Sequence, residues 1–199
     1  MTRPARLLVM RPYRRTPGFT LVELVLVIAL IAAVAAAALP GTTTTGQARL
    51  DAAAGEVAQA IRFAQSESIR TGAARVVSFD PTTSHVRVFG LNMAATPPSE
   101  DTAAPVFYPV SRQQKYDFGL NDLPATAGVT IASTQFTFID GSTAVQLGFD
   151  ATGAPVNILG PTASGYKALT GAGQVEIGFG ALRRLVYVDA DTGRVTLSS

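Results

Sequence analysis

The 199 residues carry sixteen Lys and Arg against fourteen Asp and Glu, with one His, no Cys and 47% hydrophobic residues. That inventory excludes thiol catalysis, disulfide scaffolding and any multi-histidine metal site, while leaving enough apolar material for one core. The net charge of +2 is unevenly placed, because Arg3, Arg6, Arg11, Arg14 and Arg15 all precede Gly18 in a stretch without acids; beyond it 11 basic residues face 14 acidic ones, which argues against wholesale nucleic-acid binding.

Residues 1–18 form a basic, proline-bearing leader that stands apart from the fold. From Phe19 to Leu39 every residue is apolar except Thr20 and Glu23. At ~1.5 Å per residue such a run makes a helix of roughly 30 Å, the thickness of a bilayer core, and a membrane helix is expected over 19–39. The basic head places the N-terminus in the cytoplasm by the positive-inside rule. Glu23 is the costly residue, at about 2.5–3.5 kcal/mol for a carboxylate deep in such a span and less near its end. Arg14 and Arg15 belong among the headgroups. A cut after Gly18 would instead create an amine on Phe19, one helical turn from Glu23, as a counter-charge.

The combination of a basic head, Gly18-Phe19-Thr20-Leu21-Val22-Glu23 and an immediate apolar run resembles the processing site of type IV prepilins and type II secretion pseudopilins. The resemblance implies that a prepilin peptidase cuts after Gly18 and methylates Phe19, and that Glu23 is the assembly glutamate. An exported domain with an ordinary signal peptide is the competing expectation, since Ala35 to Ala38 offer small residues for a later cut. The length of the run and the acid within it count against that.

Pro40 and Gly41 follow, then four threonines, and a hinge is expected over 40–46. An amphipathic helix is expected over 47–72. Leu50, Ala54, Val57, Ile61, Ala64 and Ser68 recur at spacings of three and four, with Arg49, Glu56, Gln59, Arg62 and Arg70 on other faces. Glu67 and Arg70 are spaced to pair, and Gly72 supplies the stop. The run from Arg62 to Gly72 is similar to the A-R-S-E-A-I-x-x-G segment of the GspH/FimT group, with Phe63-Ala64-Gln65 departing at the usual arginine.

Residues 73–199 read as a β-rich domain. Strands at 75–79 and 85–89 flank a turn at Asp80-Pro81-Thr82-Thr83-Ser84. Residues 92–105 read as a mobile surface loop. Further strands are expected at 106–110, 128–132, 134–139, 143–149, 154–159, 174–179, 185–188 and 194–197, with turns at Asp140-Gly141, Ala151-Thr152-Gly153 and Asp189 to Gly193. Gly193-Arg194-Val195 matches the G-R-V that closes domains of the GspH/FimT group. The fold class is α+β, and the resemblance makes it type IV pilin-like, with a long N-terminal helix on an antiparallel sheet.

No catalytic site, cofactor or metal is expected. His85 reads as a surface histidine, and no G-x-S-x-G elbow is present. Gly171-Ala172-Gly173 leads into a strand rather than out of one, unlike a phosphate fingerprint. Asp189-x-Asp191-x-Gly193 starts like a calcium loop but lacks its closing glutamate and reads as a turn. Arg183, Arg184 and Arg194 offer only a small basic patch, so DNA is not expected as a partner. The implied function is structural: a minor pseudopilin of type II secretion, partnered by prepilin peptidase, other major and minor (pseudo)pilins and the inner membrane, with its β domain periplasmic. A minor pilin of a type IV pilus is the alternative; the lack of cysteine inclines to the pseudopilin, because many pilins close a C-terminal loop with a disulfide.

Overall fold

The computed structural model describes residues 18–38, 42–158 and 165–198. The leader up to residue 17 and the hinge residues Pro40 and Gly41 lie outside them. The chain divides into two compact units, Met1–Gly41 and Thr42–Ser199.

The first unit contributes helix α1, Leu21–Ala38. Its 18 residues span about 27 Å at 1.5 Å rise, a little less than a bilayer core. Among the described residues no helix is long and apolar enough to cross a membrane. Of the span expected over 19–39, the described helix covers Leu21–Ala38. The helix begins at Leu21 because Thr20 turns its hydroxyl onto the first turn, where the Glu23 amide donates to Thr20 Oγ1 at 3.2 Å.

The second unit is built on helix α2, Thr42–Thr71. The stripe of Leu50, Ala54, Val57, Ile61, Ala64 and Ser68 is wholly buried, and Ala53, Ala58 and Ala60 widen it. The helix starts five residues before the position expected from its periodicity. Gly46 explains this: a Cβ there would lie 3.0 Å from Phe179 Cδ1, so the bare backbone packs on the aromatic ring and draws the threonine-rich turn into the helix. Tertiary contact overrides the modest helix propensity of threonine here. The expected hinge at 40–46 is thus helical from Thr42 onward. At the other end Gly72 takes φ +63° and stops the helix.

Fourteen strands follow among the described residues. β1 (Arg75–Asp80) and β2 (His85–Asn92) form the expected hairpin, with Val77 opposite Val88. Asp80 Oδ1 accepts from the Thr82 amide at 2.8 Å and shapes the turn. The expected loop at 92–105 contains β3, Ser99–Glu100, which pairs with the end of β2. β4 (Phe107–Tyr108) and β5 (Ser111–Lys115) make a two-stranded ribbon, and β6 (Asp117–Gly119) returns to β2. Two short 3-10 turns, Leu120–Asp122 and Pro124–Thr126, lead into β7, Thr130–Thr137.

The strand expected at 143–149 is two strands. β8 (Thr143–Ala144) pairs with β7, whereas β9 (Gln146–Phe149) pairs with β1. Between them the Val145 carbonyl accepts from the Phe79 amide at 3.0 Å, and the chain changes sheets at that residue. Then come β10 (Pro155–Asn157), β11 (Lys167–Ala168), β12 (Gly173–Phe179), β13 (Leu182–Val188) and β14 (Val195–Leu197). The result is a seven-stranded sheet, β11-β10-β9-β1-β2-β3 with β6 also on β2, and a five-stranded sheet, β14-β13-β12-β7-β8. All pairings are antiparallel. The antiparallel β domain expected from the resemblance is present and is divided into two sheets and a ribbon, a division that alternation does not reveal, because a period of two marks which face is buried but not which neighbour a strand takes.

Both sheets turn apolar faces to the buried stripe of α2. Phe79 from the first sheet stacks on Phe136 from the second at 5.9 Å, and both are fully buried with Phe138, Phe149, Leu147 and Ile61. Two polar residues that the helix pattern assigned to outer faces tie α2 to a loop and to the start of β14. Arg49 donates to the Ala127 carbonyl at 3.0 Å and Arg62 to the Val195 carbonyl at 3.1 Å.

Candidate functional site

Gly18, Phe19 and Thr20 precede the first helical turn and make no regular structure. A Cβ added to Gly18 would meet nothing within 4 Å, and Phe19 is 80% exposed. Among the described residues nothing packs on Gly18, and the Gly18-Phe19 junction is open to solvent. Glu23 stands at the third helical position behind the Thr20 cap, the T-x-x-E order of a capping box. At this end of the helix a carboxylate meets the positive end of the macrodipole, which offsets part of the cost of keeping it in an apolar helix. Among the described residues Glu23 makes no ion pair. The T-x-x-E cap was legible in the sequence but is absent from the expectations above, which treat Glu23 only as an assembly residue.

Beyond Glu23 the helix α1 is apolar all round, and over 24–35 it is bare. Leu24, Val25, Leu26, Ile28, Leu30, Ile31 and Val34 are all exposed. A helix hydrophobic on every face is one that lipid or other helices must cover.

The other candidate residues of the sequence fall into ordinary structural roles. His85 Nδ1 lies 3.1 Å from Asp117 Oδ1, and its Nε2 lies 3.8 Å from Asp122 Oδ2, an exposed cluster joining β2 to β6. Among the described residues no group of carboxylates and imidazole is arranged to hold a metal ion. Asp189 Oδ1 accepts from the amide of Thr192 at 2.9 Å and from its hydroxyl at 2.6 Å, so the calcium-like motif is a turn closed on itself. The Thr192 hydroxyl holds the Asp189 carboxyl below its ordinary range. Arg184 pairs with Asp51 of α2 and donates to the Ser198 carbonyl, and Arg183 pairs with Glu176 at 3.3 Å. Two of the three C-terminal arginines are thus engaged inside the fold. Glu67 and Arg70 form the expected pair, with bonds of 2.6 and 2.8 Å that lower the Glu67 carboxyl.

The prokaryotic N-terminal methylation motif matches residues 13–39. The chain carries that motif, with Gly18, Phe19 and Glu23 all inside it. Among solved structures, the type IV minor pilin FimU of Pseudomonas aeruginosa is similar at 18% identity, covering 78% of this chain and 92% of that one, with a TM-score of 0.47. The minor pseudopilin EpsH from the type 2 secretion system of Vibrio cholerae is similar at 12% identity, covering 76% and 97%, with a TM-score of 0.48. Both likenesses are too loose to carry a residue's role from one chain to the other. No curated protein matches the sequence.

Proposed function

We propose that the chain is a minor subunit of a type IV pilin-like filament, of the pseudopilin kind that serves type II secretion. The observation that carries this reading is the methylation motif over 13–39, laid on an exposed Gly18-Phe19 bond and a helix apolar on every face. Prepilin peptidase cuts after Gly18 and methylates Phe19. The segment 19–39 holds the precursor in the inner membrane, with the leader in the cytoplasm and residues 73–199 in the periplasm; Pro40 and Gly41 form the pivot. In the filament α1 exchanges lipid for neighbouring helices. That exchange brings little hydrophobic gain, so polar pairing of Glu23 with a neighbour's Phe19 amine sets the register. The chain acts as a structural subunit and not as an enzyme.

Sequencing the N-terminus of the protein from its native membranes tests the proposal. A methylated Phe19 at the start is expected. A retained arginine-rich head, or a start beyond Ala38, overturns it. Gene deletion reads the machine: loss of protein export with pili intact fits the pseudopilin, and loss of pili with export intact assigns the chain to a type IV pilus.

A further inference from the structure

A groove of about 800 Å³ runs between the last turns of α2 and the segment 104–109. One wall is aromatic and proline-rich, built from Phe63, Pro105, Phe107, Tyr108 and Pro109. Phe63 and Tyr108 are both held by stacking on Tyr116, at 4.7 and 4.2 Å, so this wall is set by the core beneath it. The other wall carries Glu67, Arg70 and Arg75.

Arg75 is the anomaly. Glu67 and Arg70 satisfy one another, but among the described residues Arg75 makes no ion pair. It is half-buried at the start of β1, and among the described residues it makes one hydrogen bond, from Nη1 to the Ala74 carbonyl at 3.0 Å. Its Nε is sealed from solvent without an acceptor. Gly90 stands opposite it on β2, and a Cβ there would lie 3.2 Å from Arg75 Nη1, so the guanidinium rests on bare backbone. A partly desolvated cation that has lost water contacts and gained few others is costly until an anion meets it.

We propose that this groove binds an extended peptide segment of a partner protein, with a carboxylate of that segment on Arg75 and its apolar side chains against Phe107, Tyr108 and the prolines. A single carboxylate suits the site better than phosphate. Glu67 lies in the same wall and Asp101 also acts on the Arg75 charge, so a dianion would meet two carboxylates close by. Guanidinium with carboxylate is also the pair whose planar geometry yields two parallel hydrogen bonds. The inference is independent of the filament reading, because every residue it uses lies in the unit Thr42–Ser199.

The test uses the full chain in detergent and a blocked, fluorescein-labelled pentapeptide with one glutamate between valines, against its glutamine counterpart. Anisotropy is expected to show the glutamate peptide binding at least roughly tenfold more tightly. Arg75→Gln should abolish that preference while leaving the melting temperature close to that of the parent. Ala104→Glu, which places a carboxylate in the groove beside Arg75, should block the peptide while Arg75 itself is retained. Equal binding of the two peptides, a preference that survives Arg75→Gln, or displacement of the glutamate peptide by inorganic phosphate at equal concentration would overturn the assignment.

Discussion

The side-chain amide of Gln65 donates to the Thr192 carbonyl at 2.7 Å, across 127 residues of sequence. The same nitrogen donates to the Gly153 carbonyl at 2.9 Å. Thr192 lies in the turn between β13 and β14, and Gly153 in the turn between β9 and β10, so one helical residue latches a turn from each sheet. The two turns are built alike. Asp150 Oδ1 accepts from Thr152 and Asp189 Oδ1 from Thr192, and the glycines that follow take φ +85° and +68°.

Gln65→Ala removes both bonds and leaves two carbonyls to find water. A cost of about 1–3 kcal/mol is expected, read as a lower denaturation midpoint of the unit spanning residues 42–199. Gln65→Met, similar in length but without donors, should cost about as much; a neutral result for both would show that the latch contributes nothing.

Gly193 and Gly72 separate backbone strain from crowding. Both have positive φ, but a Cβ on Gly72 meets nothing within 4 Å, whereas one on Gly193 would lie 2.5 Å from Gln65 Nε2 and 3.0 Å from Phe149 Cε1. Gly72→Ala should cost about 1–2 kcal/mol, the left-handed penalty alone. Gly193→Ala should cost more, and thermal melts of the two variants compare them directly.

Acid should loosen the turns before the core. Asp80, Asp140 and Asp189 sit below their ordinary range because a Thr or Ser hydroxyl two or three residues on donates to each. For Asp150 burial acts in the opposite direction, yet Thr152 and the backbone amides prevail. A carboxyl lowered in the folded state adds stability that is fully present above its unfolded pKa of about 3.9 and is lost as pH falls through the folded value. Urea midpoints should therefore be level from about pH 7 to 5 and decline below about pH 4. Asp189→Asn should flatten part of that decline, and an unchanged slope would contradict the linkage.

Glu23→Ala should still enter the membrane and be cut at Gly18, but fail to join the filament. Cross-linking in cells reads incorporation, and normal incorporation removes the assembly role. Thr20→Ala gives the contrast. It deletes the helix cap, at about 1 kcal/mol of helix stability, while keeping the carboxylate, so it should fray the first turn in micelles and leave assembly largely intact.

Much of this was legible along the chain. The Gly18-Phe19 junction, the acid at Glu23 and the apolar run beyond it are local features, whose meaning depends on neighbours within two helical turns. The buried face of α2 follows from spacing, since residues three and four apart share a face wherever the helix sits. The aspartate turns are equally local, because each carboxylate bonds amides and hydroxyls two or three residues away.

Only the tertiary structure decided how the strands divide. Residues 143–149 alternate like one strand, but Val145 takes them from one sheet to the other, because Phe79 offers its amide there. The early start of α2 depended on Phe179 meeting Gly46, and the latch on two distant turns arriving beside Gln65. Such contacts join residues far apart in the chain. Periodicity reports only what lies within a few residues, so it carries no trace of them.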